Sequence, residues 1–321
     1  MQSTERVADP RTILTLSLTP EDHGIFIEVP FEVPAGTETL SVHCEVQGYP
    51  FAGKVVDLGL MDPKGSRGWS GGARAEFWVE REKATPGYLP GEVRSGRWAV
   101  VVASNRIPPD GCLVTLTVNC TPERYRWLKG DLHMHSVHSD GRYELPEVLR
   151  LAQEAGLEFV ALTDHNTGSQ NLAYPREQPL ICIPGMELTT YKGHCNLLGV
   201  ADPVGDFRVS TKSDLHERLR DAQQRGAKIG LNHPFKDCDT PGCRWEWGWD
   251  VAVDWVEVWN GNWRQCNDEA LEWWQGQLAE GRRVVATGGS DCHRPGEPRK
   301  HGTPTSWVWC RSRSAEAILE A

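Results

Sequence analysis

The stretch from Asp131 to Gly141, DLHMHSVHSDG, places three candidate metal ligands at the end of one predicted strand. His133 and His135 stand two residues apart, and side chains two apart on a β-strand point to the same face, so both imidazoles can bind one ion. Asp140 follows five residues later, beyond a short turn. Taken alone, the stretch also fits a polar loop with accidental histidines, and the positions of further ligands distinguish the two interpretations.

Residues 1–125 have the pattern of an all-β domain. Short alternating apolar runs, such as LSVHCEV, are separated by Pro, Gly and Asp, which predicts a β-sandwich. His23 and His43 are the only histidines there, so we predict no metal cluster and an accessory role as a lid or assembly surface. The glycine-rich segment 63–74, PKGSRGWSGGAR, is predicted to be a surface loop.

From residue 126 to residue 321 the pattern changes to short apolar strands that alternate with helices. Candidate ligands repeatedly follow strand ends, and in a parallel β/α barrel these ends form the catalytic face. About 195 residues are few for an eight-stranded barrel, so we predict a distorted (β/α)7 barrel behind the all-β sandwich, an α/β protein overall. His194 instead begins its strand, so either that strand runs against the others or its loop folds back.

Six imidazoles and three carboxylates occupy or adjoin these strand ends. This set suits zinc, manganese or iron, and burying so many polar groups without a compensating ion would be costly. A single histidine at a strand end is more often a structural residue, but nine such groups are hard to explain by chance. The nine candidate ligands are His133, His135, Asp140, His165, Glu187, His194, His233, Asp291 and His293.

The order of these residues, HxH…SDG…TDH…GxE…H…NHP…SDxH, resembles the PHP family, named for polymerase and histidinol phosphatase. The segments DLHMHSVHSDG, LTDHN, GMELT, VEVWNG and GGSDCH are similar to the branch named for the CehA/McbA carbamate hydrolases, over about residues 125 to 321. The resemblance implies three ligand sets: His133, His135, Glu187 and Asp291 for a first metal; Glu187, as a bridge, with His194 and His233 for a second; and Asp140, His165 and His293 for a third.

The resemblance also implies a metal-dependent hydrolase with two or three divalent transition-metal ions, zinc, manganese or iron, and with Glu187, Asp291 and His293 in catalytic roles. A hydroxide shared by two cations is a nucleophile at neutral pH. The preferred reaction is phosphoester hydrolysis on a small molecule or nucleotide. Carbamate or carboxyl ester cleavage is the alternative, because the same hydroxide serves both. A non-catalytic, metal-stabilised binding module is a further alternative.

Three more residues are candidates for contacts to a small-molecule substrate. Asn166 adjoins a predicted ligand, and Arg294 and His301 follow the last one, where a basic side chain can bind an anion. For the two basic residues a solvated loop is an equally good explanation.

Composition limits the partners and the compartment. The net charge of −10 and the pI of about 5.6 argue against a nucleic-acid polymer or an anionic membrane as partner. The sequence contains no apolar run of about 18 residues, so no membrane span is expected. Residues 1–10 lack the apolar segment of a secretory signal, so we expect a cytoplasmic protein with reduced cysteines.

Cys238 and Cys243 share one loop and could pair or bind metal.

Overall fold

Two units make up the fold of this chain, Met1–Arg124 and Tyr125–Ala321. The structure, a computed structural model, describes residues 11–48, 56–175, 178–237, 242–296 and 299–321. In these ranges no helix combines the length and the apolar character that crossing a membrane requires. Cys238 lies outside the described residues, and Cys243 is disulfide-bonded.

The first unit contains two four-stranded antiparallel sheets. Buried and exposed side chains alternate along the strands, so each sheet turns one face inward. Buried residues of both sheets, including Phe77 and Trp98, form one hydrophobic cluster, which is the arrangement of a β-sandwich. One sheet has the order β1 (Arg11–Leu18), β8 (Cys112–Pro122), β3 (Thr37–Gln47), β6 (Glu76–Val79), and the other β2 (Ile27–Val33), β7 (Gly96–Ala103), β4 (Asp57–Asp62), β5 (Gly65–Gly71).

The glycine-rich segment 63–74 is not simply a surface loop, as its composition predicts, because it contains strand β5. Gly68 has a φ of +134°, and a Cβ at this position would lie 2.3 Å from the carbonyl oxygen of Gly87. Glycine therefore lets a second backbone segment approach the strand closely. The apolar alternation that identifies other strands is absent here, which explains why the sequence pattern misses it.

The second unit combines nine strands with four α-helices in its described part, and is a mixed α/β structure. One sheet has the order β11 (Ile181–Ile183), β10 (Phe159–Leu162), β9 (Arg126–Met134), β17 (Ser306–Cys310). The other has the order β12 (Gly185–Thr190), β13 (Gly193–Leu198), β14 (Lys228–Leu231), β15 (Trp255–Asn260), β16 (Val285–Gly289). The helices are α1 (Leu145–Glu154), α2 (Lys212–Gln224), α3 (Gln265–Ala279) and α4 (Ala315–Glu320).

Within the described residues these strands form no single closed sheet, so the distorted (β/α)7 barrel that the alternation predicts is not shown. In the described residues they lie in two sheets, which isolated bridges connect at His165–Glu187 and Met134–Cys292. Strand β13 is antiparallel to both β12 and β14, and β17 is antiparallel to β9. The turn between β12 and β13 is only two residues long, and so short a connection can join only antiparallel strands. The strand of His194 therefore runs against its neighbours, the first of the two possibilities.

Two glycines allow a test of the packing in the second unit. A Cβ at Gly130 on β9 would lie 2.2 Å from the ring of Phe159 and 2.4 Å from its carbonyl oxygen, whereas a Cβ at Gly276 on α3 would meet open space. Gly130→Ala should lower the free energy of unfolding by about 1–3 kcal/mol. Gly276→Ala should raise it by about 0.5–1 kcal/mol, because glycine weakens a helix interior. Urea denaturation measures the free energy of unfolding of each variant. Equal changes in the two variants would contradict the close packing of Gly130 against Phe159.

Candidate metal centre

Glu187 on β12 lies at the centre of a buried cluster of imidazoles. Its Oε1 atom is 3.2 Å from Nδ1 of His194, 3.4 Å from Nε2 of His133 and 3.6 Å from Nε2 of His233. The Glu187 side chain is completely buried. The carboxylate therefore connects the end of β9 with β13 and with the second residue after β14, and it can bridge two ions.

Asp291, two residues beyond β16, completes a first ligand group with the two histidines of the opening motif. Its Oδ1 atom lies 3.3 Å from Nε2 of His135 and 3.5 Å from Nε2 of His133. The second carboxylate oxygen of Glu187, Oε2, is 3.5 Å from Nε2 of His135. His133, His135 and Glu187 each offer one ligand atom within 4.8 Å of the others, and Asp291 lies against both imidazoles; zinc, manganese and iron accept such a mixed set.

A third group forms around Asp140. Its Oδ1 atom is 3.4 Å from Nε2 of His293 and 3.5 Å from Nε2 of His165. One ligand atom from each of these three residues and from His135 lies within 4.8 Å of the others. The structure thus brings all nine predicted ligands together. Its compact groups cut across the three implied sets, since His194 groups with His165 and Glu187, and His233 with His133 and Glu257, so the assignment to three ions stays a prediction.

The loop that carries Asp140 is anchored by the buried carboxylate of Asp164. That carboxylate accepts hydrogen bonds from the backbone N–H of Ser136 at 2.9 Å, from the hydroxyl of Ser136 at 2.8 Å and from the hydroxyl of Ser139 at 2.7 Å. Three bonds to one side chain fix the loop between β9 and α1. Asp164 therefore supports the third group without belonging to it.

Backbone strain is concentrated at this cluster. The described non-glycine residues with positive φ are Asn166, His233 and Asp291, at 54°, 28° and 50°. Such angles cost free energy, and they persist where the surrounding contacts hold them. The amide of Asn166 bonds to both the N–H and the carbonyl of Thr189, and the N–H of Asp291 donates to the carbonyl of His133 at 2.8 Å. Two of the three strained residues are predicted ligands, and the third adjoins one.

Unpartnered polar atoms show that the cluster fits a cation. Buried side-chain atoms with no hydrogen-bond partner include Nε2 of His133, both ring nitrogens of His135 and Oε2 of Glu187. Nδ1 of His165 lies 2.8 Å from that Oε2 without hydrogen-bond geometry. Buried polar groups left in this state are costly, and binding to a metal ion would satisfy them.

Burial and charge give part of the cluster the protonation state that a metal requires. Burial lowers the pKa of His135 to about 3 and the pKa of His233 to about 4, so both imidazoles are neutral at pH 7. Burial alone would raise the pKa of Glu187, but His133 and His165 outweigh it and hold that pKa well below its ordinary value. Neutral imidazoles and ionised carboxylates are the forms that bind divalent ions.

Two cations that the sequence pattern misses hold the other oxygen of Asp291. Nζ of Lys236 lies 2.6 Å from Oδ2, and Nη1 of Arg299 lies 2.8 Å from it. Arg299 also donates to the carbonyl of Asp291. Asp291 therefore turns Oδ1 to the histidines and Oδ2 to the cations. The sequence feature that could have indicated Lys236 is its position three residues after the predicted ligand His233.

Asn232, which the sequence analysis gave no role, supports the central carboxylate. Its Nδ2 donates to Oε1 of Glu187 at 2.6 Å and to Oδ1 of Asn196 at 2.9 Å. Asn196 in turn donates to the carbonyl of Leu132 at 3.1 Å. This buried series of hydrogen bonds fixes Glu187 relative to β9. In the sequence, the feature that could have indicated it is the Asn directly before the predicted ligand His233.

The three predicted substrate residues occupy different environments. Asn166 uses both ends of its amide on Thr189. Arg294 is exposed. His301 is buried with its ring centre 5.2 Å from that of Tyr143, and burial lowers its pKa to about 4. The structure does not gather these residues as it gathers the nine ligands, and their substrate contacts stay predictions.

Comparison with known proteins gives only distant similarities. No protein-family model matches the chain. An uncharacterized protein of Methanocaldococcus jannaschii is 26% identical over 148 residues, which are 41% of this chain and 82% of that protein. A solved two-domain protein from Bacteroides vulgatus that contains a predicted PHP-like metal-dependent phosphoesterase is 24% identical, with a TM-score of 0.46 over 61% of this chain and 62% of that one.

The chain thus spans less than two thirds of the Bacteroides vulgatus protein. An amidohydrolase from Chromobacterium violaceum, solved with bound sulfate and no metal, is 18% identical, with a TM-score of 0.38 over 59% of this chain and 95% of that one. Both TM-scores lie below 0.5, and neither similarity establishes a family for this chain.

Zinc binding to the metal-free protein is expected to release protons at pH 7. Burial disfavours the charged form of His165, but Glu187 and Asp140 outweigh it and raise the pKa of His165 to about 9. A metal-bound nitrogen carries no proton, so zinc must displace one, and zinc affinity should rise as the pH increases from 7 towards 9.

Calorimetric titration in buffers of different ionisation enthalpy counts the released protons. His165→Asn should reduce that number, whereas His43→Asn in the first unit should leave it unchanged. Zinc binding without proton release at pH 7 would contradict the protonation of His165.

Proposed function

We propose that this protein is a metal-dependent hydrolase of the PHP type, in the CehA/McbA-like branch, that cleaves phosphoesters of small molecules or nucleotides. The observation that carries the proposal is the sharing of one buried carboxylate, Glu187, between two groups of imidazoles. A bridging carboxylate between two ligand sets is the arrangement that a pair of catalytic ions needs. The distorted barrel of that family is part of the proposal.

The residues that would hold the ions are the nine described above, in three sets. When bound, paired divalent ions lower the pKa of water and stabilise negative charge that develops on the attacked group. The ions would be zinc, manganese or iron, which accept mixed nitrogen and oxygen ligands.

The chain itself contributes orientation and charge. Asn232 holds Glu187 in place, and Lys236 and Arg299 hold Asp291 so that its Oδ1 faces the histidines. Lys236 is 12% exposed and Arg299 is 17% exposed, so both cations keep a path to solvent. A substrate anion that reaches the site would meet these two positive charges beside the ligands.

The charges of the cluster favour a phosphoester over a carbamate or carboxyl ester. Its contacting side chains include four carboxylates, of which one is Glu257 on β15, and two cations, Lys236 and Arg299. These side chains leave two negative charges, the buried carboxylate of Asp164 beside the third group adds one more, and two or three divalent ions would bring four to six positive charges. The loaded site is therefore positive, which attracts a dianionic phosphate more strongly than a neutral ester.

A small-molecule substrate and a cytoplasmic location are further parts of the proposal that rest on the sequence. A binding module that has lost catalysis is disfavoured, because the nine ligands are all present and face one another.

The reaction class can be tested with a panel of 4-nitrophenyl substrates. We expect kcat/KM with manganese, zinc or iron to be highest for a phosphomonoester or phosphodiester, and lower for the matching carboxyl and carbamate esters, because the loaded site is positive. Protein treated with a chelator is the control and should be inactive. Turnover of the carbamate or carboxyl ester without phosphoester turnover would refute the proposed reaction.

Glu187→Gln should lower turnover by at least about 100-fold, because the neutral amide is a poor bridge between two cations. Glu217→Gln is the matched control, since Glu217 on α2 is 64% exposed and lies outside the cluster. Both variants are assayed with saturating metal on the best substrate of the panel. Unchanged turnover in Glu187→Gln would contradict the bridging role.

A further inference from the structure

We infer that Glu257 is a positioning residue that orients ligands of the first and second metal groups at the same time. This inference rests on the proposed metal site and deepens it. Glu257 lies in the middle of β15 and is buried, with a 3% exposed side chain. It is 124 residues away in sequence from the histidine whose ring it contacts.

Both oxygens of Glu257 are occupied by nitrogen atoms of the site. Oε1 is 3.0 Å from Nδ1 of His133. Oε2 accepts a hydrogen bond from the backbone N–H of His233 at 2.9 Å and another from Nδ2 of Asn260 at 2.9 Å. One carboxylate thus contacts a ligand of the first group through its ring and a ligand of the second group through its backbone.

The contact with His133 selects which ring nitrogen can bind metal. Nδ1 faces Glu257, while Nε2 faces Glu187 at 3.4 Å and Asp291 at 3.5 Å. When the ring gives up a proton to bind a metal, the carboxylate at Nδ1 keeps the remaining proton there, so Nε2 is the nitrogen left to bind the ion. By distance alone Glu257 could itself bind a metal, since one of its oxygens lies within 4.8 Å of ligand atoms of His133 and His233. Both of its oxygens already contact nitrogen atoms, however, which favours a positioning role over ligation.

The contact with His233 holds a strained backbone. His233 has a φ of +28°, an angle that non-glycine residues rarely adopt. Its N–H donates to Oε2 of Glu257, which fixes the peptide just before the ring that faces Glu187. Removing the carboxylate would leave a buried N–H without this acceptor and would release the strained residue.

The side chains of Glu257 and His133 pack against Gly289, where a larger residue would not fit. A Cβ at Gly289, the last residue of β16, would lie 2.3 Å from Oε1 of Glu257 and 2.5 Å from Cβ of His133. Only glycine leaves room for both side chains at this position. This crowding gives a second, independent way to disturb the pair while both side chains stay in the sequence.

The test compares metal binding in the full-length wild type, Glu257→Gln and Gly289→Ala, using Zn²⁺ competition with a chromophoric chelator and Co²⁺ absorption spectra. Glutamine keeps one carbonyl oxygen for His133 but lacks the second acceptor for His233. We expect zinc affinity to fall about 10- to 100-fold in both variants, with an altered Co²⁺ spectrum at unchanged metal stoichiometry. The matched controls, Glu217→Gln and Gly276→Ala, should bind Zn²⁺ and Co²⁺ like the wild type.

Each result has one meaning. Unchanged affinity and spectrum in both variants would overturn the inference. Loss of one ion from the stoichiometry in Glu257→Gln would make Glu257 a ligand and would also overturn it. A wild-type protein that binds no metal would refute the proposed function itself. If Glu257→Gln does not fold, Glu257→Asp takes its place, because the carboxylate keeps its charge but is one methylene shorter than the span from His133 to His233 requires; an unchanged Co²⁺ spectrum and zinc affinity in that variant would overturn the inference.

Discussion

The burial of one carboxylate, Glu187, is the constraint on which the second unit depends. An ionised carboxylate removed from water is tolerated only with charged or hydrogen-bonding partners around it. Glu187 has five imidazoles and one amide nitrogen within 3.6 Å. They come from both sheets, so the two sheets must meet at this point, and the isolated bridges at His165–Glu187 and Met134–Cys292 lie there.

The strand directions follow from the same requirement. Ligands from parallel strands lie after the strand ends, as in His135, His233 and Asp291. A ligand at the start of a strand can reach the same place only if that strand is reversed. His194, the second residue of β13, satisfies this condition because β13 is antiparallel to β12 and β14. The hairpin is therefore a way to supply one more imidazole to the same edge.

A second layer of side chains gives the ligands their orientation. Asn232 holds Glu187, Lys236 and Arg299 hold Asp291, and Glu257 holds His133. Each contact takes up one side of a predicted ligand and leaves the other side directed at the cluster, so the candidate ligand atoms are already oriented in the metal-free protein. Orienting ligands in advance lowers the conformational entropy lost on binding.

The sequence alone identifies the nine candidate ligands, their order along the chain, and the alternating pattern that indicates strands and helices. These are local properties, readable from spacing along the chain. The division into two sheets, the strand at 65–71 and the contacts of Lys236 and Glu257 with the predicted ligands appear only in the tertiary structure. Glu257 meets His133 across 124 residues and Lys236 meets Asp291 across 55, and no local periodicity encodes such contacts. They arise from packing, where burial makes each charged group depend on a distant partner.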